Sequence, residues 1–299
     1  MSRFMSYGTN RILFCALLLA LLLVRSAVAA ENCVETKDLL ACDLTRGQLS
    51  SGQLNELANQ VQQTLDQVLK FWSVDAKIEK LGKIWLEFDR PRGGTEAAQF
   101  FWMSMKGGKR VRAVRVFGVK DGSQNMIHKL TIAIFPSTDK LIRCMFGPEM
   151  EELFGNRQSF PMCGFNTDSW ALAIRKVGAY IPLAKIGPDH ESWGMTMARD
   201  GWPMVVDAWK QHVVYAEAES FGKYLLHVYG TEKIKAFYRL SNQGEERHWE
   251  VFDSTLDELE KNWVRYLESI RPAREKEIET AVKLLARGSG KTCPSRPGD

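Results

Sequence analysis

The sequence predicts an α+β fold in which helices pack on one side of a small sheet. Three observations predict it: β-type runs cluster in the first half of the chain, helical periodicity takes over after Thr138, and a long amphipathic stripe precedes the strands and needs an apolar surface to lie on. With 45% apolar and 25% charged residues, the chain has the balance of a folded protein rather than a disordered one. Its 299 residues suffice for one large core or two small ones. No internal repeat is present.

Residues 1–30 differ in kind from the rest. Arg3 and Arg11 precede the apolar run ILFCALLLALLLV, and Ala27, Val28, Ala29 and Ala30 supply an A-x-A cleavage pattern, which together read as a secretory signal peptide. The run has 13 residues, against the roughly 20 that a spanning helix needs. The expectation is export to the periplasm, the extracellular space or the cell envelope, with membrane attachment only if the segment is left uncleaved. Cleavage removes Arg3, Arg11 and Arg25 and no acid, which leaves 37 basic against 36 acidic side chains and lowers the formal charge from +4 to +1. The mature chain is therefore not basic enough to suggest a nucleic-acid partner, and KGGKRVRAVR (106–115) reads as one half-exposed strand.

Export would carry Cys33, Cys42, Cys144, Cys163 and Cys293 into an oxidising compartment. Nearest-neighbour pairing joins Cys33 to Cys42 and Cys144 to Cys163 and leaves Cys293 odd, although spacing alone does not settle connectivity. None of these spacings is that of a zinc-thiolate site.

Along the chain, Leu54, Leu57, Val61, Leu65, Val68, Leu69 and Trp72 recur at steps of three and four and predict an amphipathic helix over 51–72. KIWLEF (83–88), RVRAVRVFGV (110–119) and HKLTIAIF (128–135) predict strands, with turn residues between them. TEAAQFFWM (95–103) fits either helix or strand. The stretch 168–181 sets Trp170, Ala173, Ile174, Val177 and Ile181 on one helical face, with Asp168 as its N-cap and Pro182 as its stop. Further helices are expected over 194–210, over 213–229 with Gly230 as C-cap, from Thr231, and from Thr255 with the capping box Thr255–Glu258. A last charged helix over 273–286 precedes a polar tail expected to be disordered.

Several motif readings fail on their own chemistry. GSGKT near the end lacks the first P-loop glycine, because Leu285 stands there, and no G-x-S-x-G occurs. His190-Glu191 offers metal donors, yet a lone pair of this kind in a Gly/Pro-bounded loop also reads as a solvated turn.

The order HKLTIAIFPS, FPMCGF, helix 168–181, WGMTMARDGWPMVVDAW (193–209), YAEAESFGKYLLHVYG (215–230) and DELEKNWVRYL (257–267) resembles the gluzincin-type, peptidase MA-like zinc metallopeptidases. The resemblance covers roughly residues 128–270. It implies a zincin-like architecture, a small mixed sheet packed by a helical subdomain, with 31–127 completing the sheet and 271–299 as an appended charged helix and tail. Carried over by residue, the first zinc histidine falls on Arg175, the general base on Lys176, the second histidine on Ala179 and the third ligand on Asp200. A guanidinium has no lone pair to offer and a methyl group cannot ligate, so zinc hydrolysis is not expected and no cofactor is implied. Asp200 is instead expected to pair with Arg175, since a charge left in a former metal cavity needs a partner.

The resulting expectation is an exported pseudopeptidase that holds a peptide or protein ligand in a cleft, with Arg175, Asp200, Trp193, Trp202 and Tyr215 as its lining. Three alternatives stand beside it. In the first, His190, Glu191, Asp200 and Glu217 recruit a displaced zinc. In the second, the chain is a structural cell-envelope protein that docks a partner through 273–286. In the third, 168–181 is an ordinary core helix and the likeness is accidental.

Overall fold

The structure, a computed structural model, describes residues 32–77, 80–90, 97–118, 126–137, 139–145, 165–186, 191–197, 203–242 and 248–286. It is α+β, with one mixed five-stranded sheet. The strands are β1 (Asn32–Glu35), β2 (Leu39–Asp43), β3 (Ile84–Asp89), β4 (Ala97–Ser104) and β5 (Arg110–Phe117), in the order β1-β2-β3-β5-β4. The inner pairs β2/β3 and β3/β5 are parallel, and both outer pairs are antiparallel.

Parallel pairing of β2 and β3 requires a crossover, and the predicted amphipathic helix supplies it as α1 (Ser51–Phe71). Ser50 and Gln53 close a capping box at its start, and Leu54, Val61, Leu65 and Val68 are buried beneath it. The helix packs on β1 and β2, and its buried residues share one core with the sheet face built from Leu39 and Ala41 of β2, Leu86 and Phe88 of β3, Val114 and Val116 of β5, and Phe100 of β4. The register places these residues side by side, Ala41 opposite Leu86, Leu86 opposite Val114, and Val114 opposite Phe100. Cys33 and Cys42 lie directly opposite each other in β1 and β2 and form a disulfide, as nearest-neighbour pairing predicts.

Several expectations are corrected. HKLTIAIF is not a strand but most of α2 (Met126–Ile134), packed against β4 and β5. Every residue of that helix except Lys129 is buried, polar His128 and Thr131 included, so no exposed polar face marks a helical period. Of TEAAQFFWM, the described part from Ala97 onward is strand, within β4. The helix expected over 168–181 is shorter, α4 (Thr167–Lys176), capped by Asn166 rather than Asp168 and ending before Gly178, whose φ of +73° belongs to the left-handed region. The segment 194–210 is not a helix: β6 (Met195–Met197) and β7 (Pro203–Val205) pair antiparallel. Pro203 has no N–H for a helix interior, and the Asp200-Gly201 dipeptide before it is a turn signal. Cys144 is a buried thiol within α3 (Lys140–Met145), not half of a disulfide, and Cys163 and Cys293 fall outside the described residues.

The helical half centres on α5 (Ala208–Asn242), broken at Gly230 (φ +77°), and α6 (Leu256–Ala286). The break falls where the sequence places a glycine stop, and the Thr255–Glu258 capping box opens α6 as predicted. The charged segment 273–286 does not form a separate helix. It continues α6 through Pro272, and the boundary drawn at 270/271 lies inside that helix. Ile278, Ala281 and Leu285 are buried, while Ser169 donates to Glu277 (2.6 Å), so this end is fastened to α4. The tail after residue 286 lies outside the described residues. No helix among the described residues is long and apolar enough to cross a membrane.

Candidate functional site

Arg175 and Lys176 lie in the last turn of α4, but Ala179 lies beyond its end. A zinc-binding pair at i and i+4 needs both residues on one helical face, so the H-E-x-x-H geometry is absent at 175–179 whatever the side chains. Lys176 pairs with Glu275 at 3.1 Å. Asp200, expected opposite Arg175, lies outside the described residues, as do His190 and Trp202. Trp193 falls in the 3₁₀ turn Glu191–Trp193, of which Glu191 is exposed.

Arg175 is brought to a cleft by other partners. Its guanidinium sits 4.8 Å from the centre of the Tyr180 ring. The Tyr180 hydroxyl donates to Glu260 of α6, and the Leu183 N–H donates to the same oxygen at 3.1 Å. The Ile181 N–H donates to Glu217 of α5 at 3.1 Å. Two carboxyl groups from two helices thus hold the strap 180–183, Glu260 at both of its ends and Glu217 at Ile181 between them. Glu217 is 0% exposed, and burial pushes its pKa up to about 9, with the nearby Glu260 raising it and the Ile181 N–H and Arg175 opposing. At that value the carboxyl group holds its proton at neutral pH. Burial and Glu260 likewise raise the Tyr180 hydroxyl far above its ordinary value.

Asp168, expected as a cap, is instead a core acid. It is 1% exposed, accepts from Ser220 at 2.7 Å and lies 3.8 Å from Lys223. Ser220 in turn accepts from the Trp263 indole at 3.1 Å, tying α4, α5 and α6 together.

A second cluster was not legible as a site. On α2 the string His128-Lys129-Leu130-Thr131-Ile132 sets His128 and Ile132 one turn apart on one face, with Lys129 beside them. Burial, then Lys129 and Arg143, drive the His128 pKa well below its ordinary value. Burial and Arg143 lower Lys129 to about 8, against a smaller raising effect of Cys144. Tyr215, expected in the cleft, belongs here and shares a hydrogen bond with Cys144; burial foremost raises its hydroxyl pKa well above the ordinary value. Read as a strand, HKLTI concealed this arrangement. The signal was its first histidine and the spacing to the fifth residue.

Neither location fits zinc. One imidazole with Lys129 and Ile132, or Arg175 with a distant methyl group, falls short of three donors. Among the described residues no group of three or more His, Cys, Asp or Glu side chains could hold a metal. No family model matches the chain, and neither a curated protein nor a solved structure matches it.

Proposed function

We propose that this chain is an exported pseudopeptidase of gluzincin-like descent that holds an extended peptide along β4 without hydrolysing it. The observation that carries the reading is the edge of β4. Among the described residues β4 pairs only with β5, and α2 packs against it. An edge strand presents unpaired N–H and C=O groups that a peptide can adopt as a further strand. The opposite edge, β1, has four residues and is clamped to β2 by the disulfide.

On this reading α4 occupies the place of the metal-bearing helix, with Arg175 and Lys176 standing where the first histidine and the glutamate base would be needed and Ala179, beyond the helix end, where the second histidine would be. Binding then survives while water activation does not. Trp102, 38% exposed, lies under Arg110 and Arg112 at 5.2 and 5.6 Å, so the far end of β4 is cationic and aromatic. The Cys33–Cys42 bridge supports an oxidising compartment and hence export.

The test is selection of binders from a displayed random-peptide library, followed by hydrogen exchange on the complex. Slowed exchange over 97–104, with the peptide recovered intact after incubation with zinc, is the expected result. Stoichiometric zinc with peptide cleavage would make the chain an enzyme and overturn the proposal, and protection confined to other elements would remove β4 as the site.

A further inference from the structure

We propose that the open cleft between the last turn of α4 and the first turns of α6 binds a small organic oxyanion, a carboxylate or phosphate monoester with an apolar body, through Arg175. The cleft has a volume of about 570 Å³, within the range of small-molecule sites. One wall is Arg175 over Tyr180. The other is a single face of α6 on which Asp257, Lys261, Val264 and Arg265 follow at steps of one to four residues.

The charge balance of this cleft is set by which groups are already committed. Glu260 accepts from the Tyr180 hydroxyl and the Leu183 N–H. Glu268 accepts from Arg271 at 3.0 Å and stands 4.0 Å from the Arg175 Nε, too far for a hydrogen bond. Glu217 is turned to the Ile181 N–H behind the strap. Asp257 lies in the first turn of α6, where the helix dipole favours its charge. Among the described residues the buried Arg175 Nε has no hydrogen-bond acceptor, although the side chain as a whole is 26% exposed.

A buried charged donor without an acceptor is costly, and a guanidinium fork matches an oxyanion better than any neutral ligand. Lys261 and Arg265, both exposed on the facing wall, add attraction for the same charge. Val264 and the Tyr180 ring supply the apolar contact that a bare inorganic ion would not use. Nothing in this site depends on β4, so it stands apart from the peptide edge.

The test is a titration of the 15N-arginine-labelled chain, following the Arg175 Nε–H resonance, with benzoate, phenyl phosphate, inorganic phosphate and the neutral isostere benzamide. A saturable shift with benzoate or phenyl phosphate, weaker binding of inorganic phosphate and no saturation with benzamide is expected, and the comparison of the first two tells carboxylate from phosphate. Arg175→Gln should weaken binding at least about tenfold, the equivalent of one charged hydrogen bond. Equal saturation by benzamide, no saturable shift with either aromatic anion, or unchanged affinity in Arg175→Gln would overturn the proposal. Should Arg175→Gln fail to fold, the double variant Lys261→Gln/Arg265→Gln, altered only at exposed side chains, takes its place, and unchanged affinity there overturns it equally.

Discussion

Replacing Glu217 with glutamine should stabilise this protein, and by an amount that grows with pH. The carboxyl group is fully buried and its pKa lies near 9 in the folded state, against an ordinary 4.5. A raised folded pKa means that the native state binds a proton the unfolded chain has released. Its contribution is fully present below pH 4.5 and is lost as pH rises through the window from 4.5 to about 9. Each pH unit in that window removes about 1.4 kcal/mol, so at pH 7.5 the parent is penalised by up to about 4 kcal/mol relative to pH 4.5. Glutamine keeps an oxygen for the Ile181 N–H and needs no proton, while Glu260 and Arg175 remain in place. Urea unfolding of parent and Glu217→Gln at pH 5, 6.5 and 8 should show curves nearly coincident at pH 5 and separating by more than about 2 kcal/mol at pH 8, after allowance for relaxation of the site. A difference that is flat with pH, or a variant less stable than the parent at pH 8, would refute the assignment of Glu217 as a buried neutral acid.

Removing the Cys33–Cys42 bridge, which spans a sequence separation of 9, should lower stability by about 2.5 kcal/mol from loop-closure entropy, read by denaturant midpoints of Cys33→Ala/Cys42→Ala with and without reductant. The reductant should shift the parent and leave the double variant where it is. Asp168→Ala takes the acceptor from the buried Ser220 hydroxyl and should cost about 3 kcal/mol in chemical unfolding, whereas Lys176→Ala, which breaks only an exposed pair with Glu275, should change stability by less than about 1 kcal/mol. With a pKa near 8, Lys129 is roughly one-quarter neutral at pH 7.5 against about one in a thousand for an ordinary lysine. Competitive trace acetylation read by mass spectrometry should therefore show its reactivity levelling off above pH 8, while exposed lysines continue to rise to pH 10.

Much of the scaffold was legible because it is written in local chemistry. The stripe from Leu54 to Trp72 has a clear helical period, the Thr255–Glu258 box is a three-residue signature, and Gly230 supplies the positive φ that breaks α5. The errors have two causes. In 128–135 Leu130, Ile132 and Ile134 alternate as they would in a strand, and in 194–210 the pattern permits a helix while Pro203 and Asp200-Gly201 argue otherwise. In the first case burial on every side erased the period. In the second, turn chemistry outweighed apolar spacing.

The site divided along the same line. The sequence by itself determined the residue types that rule out zinc chemistry at 175–179, the alternation of the early strands, and the helix-opening and helix-closing signals, since each depends on a few neighbouring residues. Only the tertiary structure decided that Arg175 meets Tyr180 and the α6 face, that burial raises the pKa of Glu217, that Cys144 sits beside Tyr215 and that, among the described residues, β4 pairs on one side alone. Those facts depend on desolvation and on contacts between elements far apart in the chain, and no local pattern of side chains encodes how much water is left around a charge.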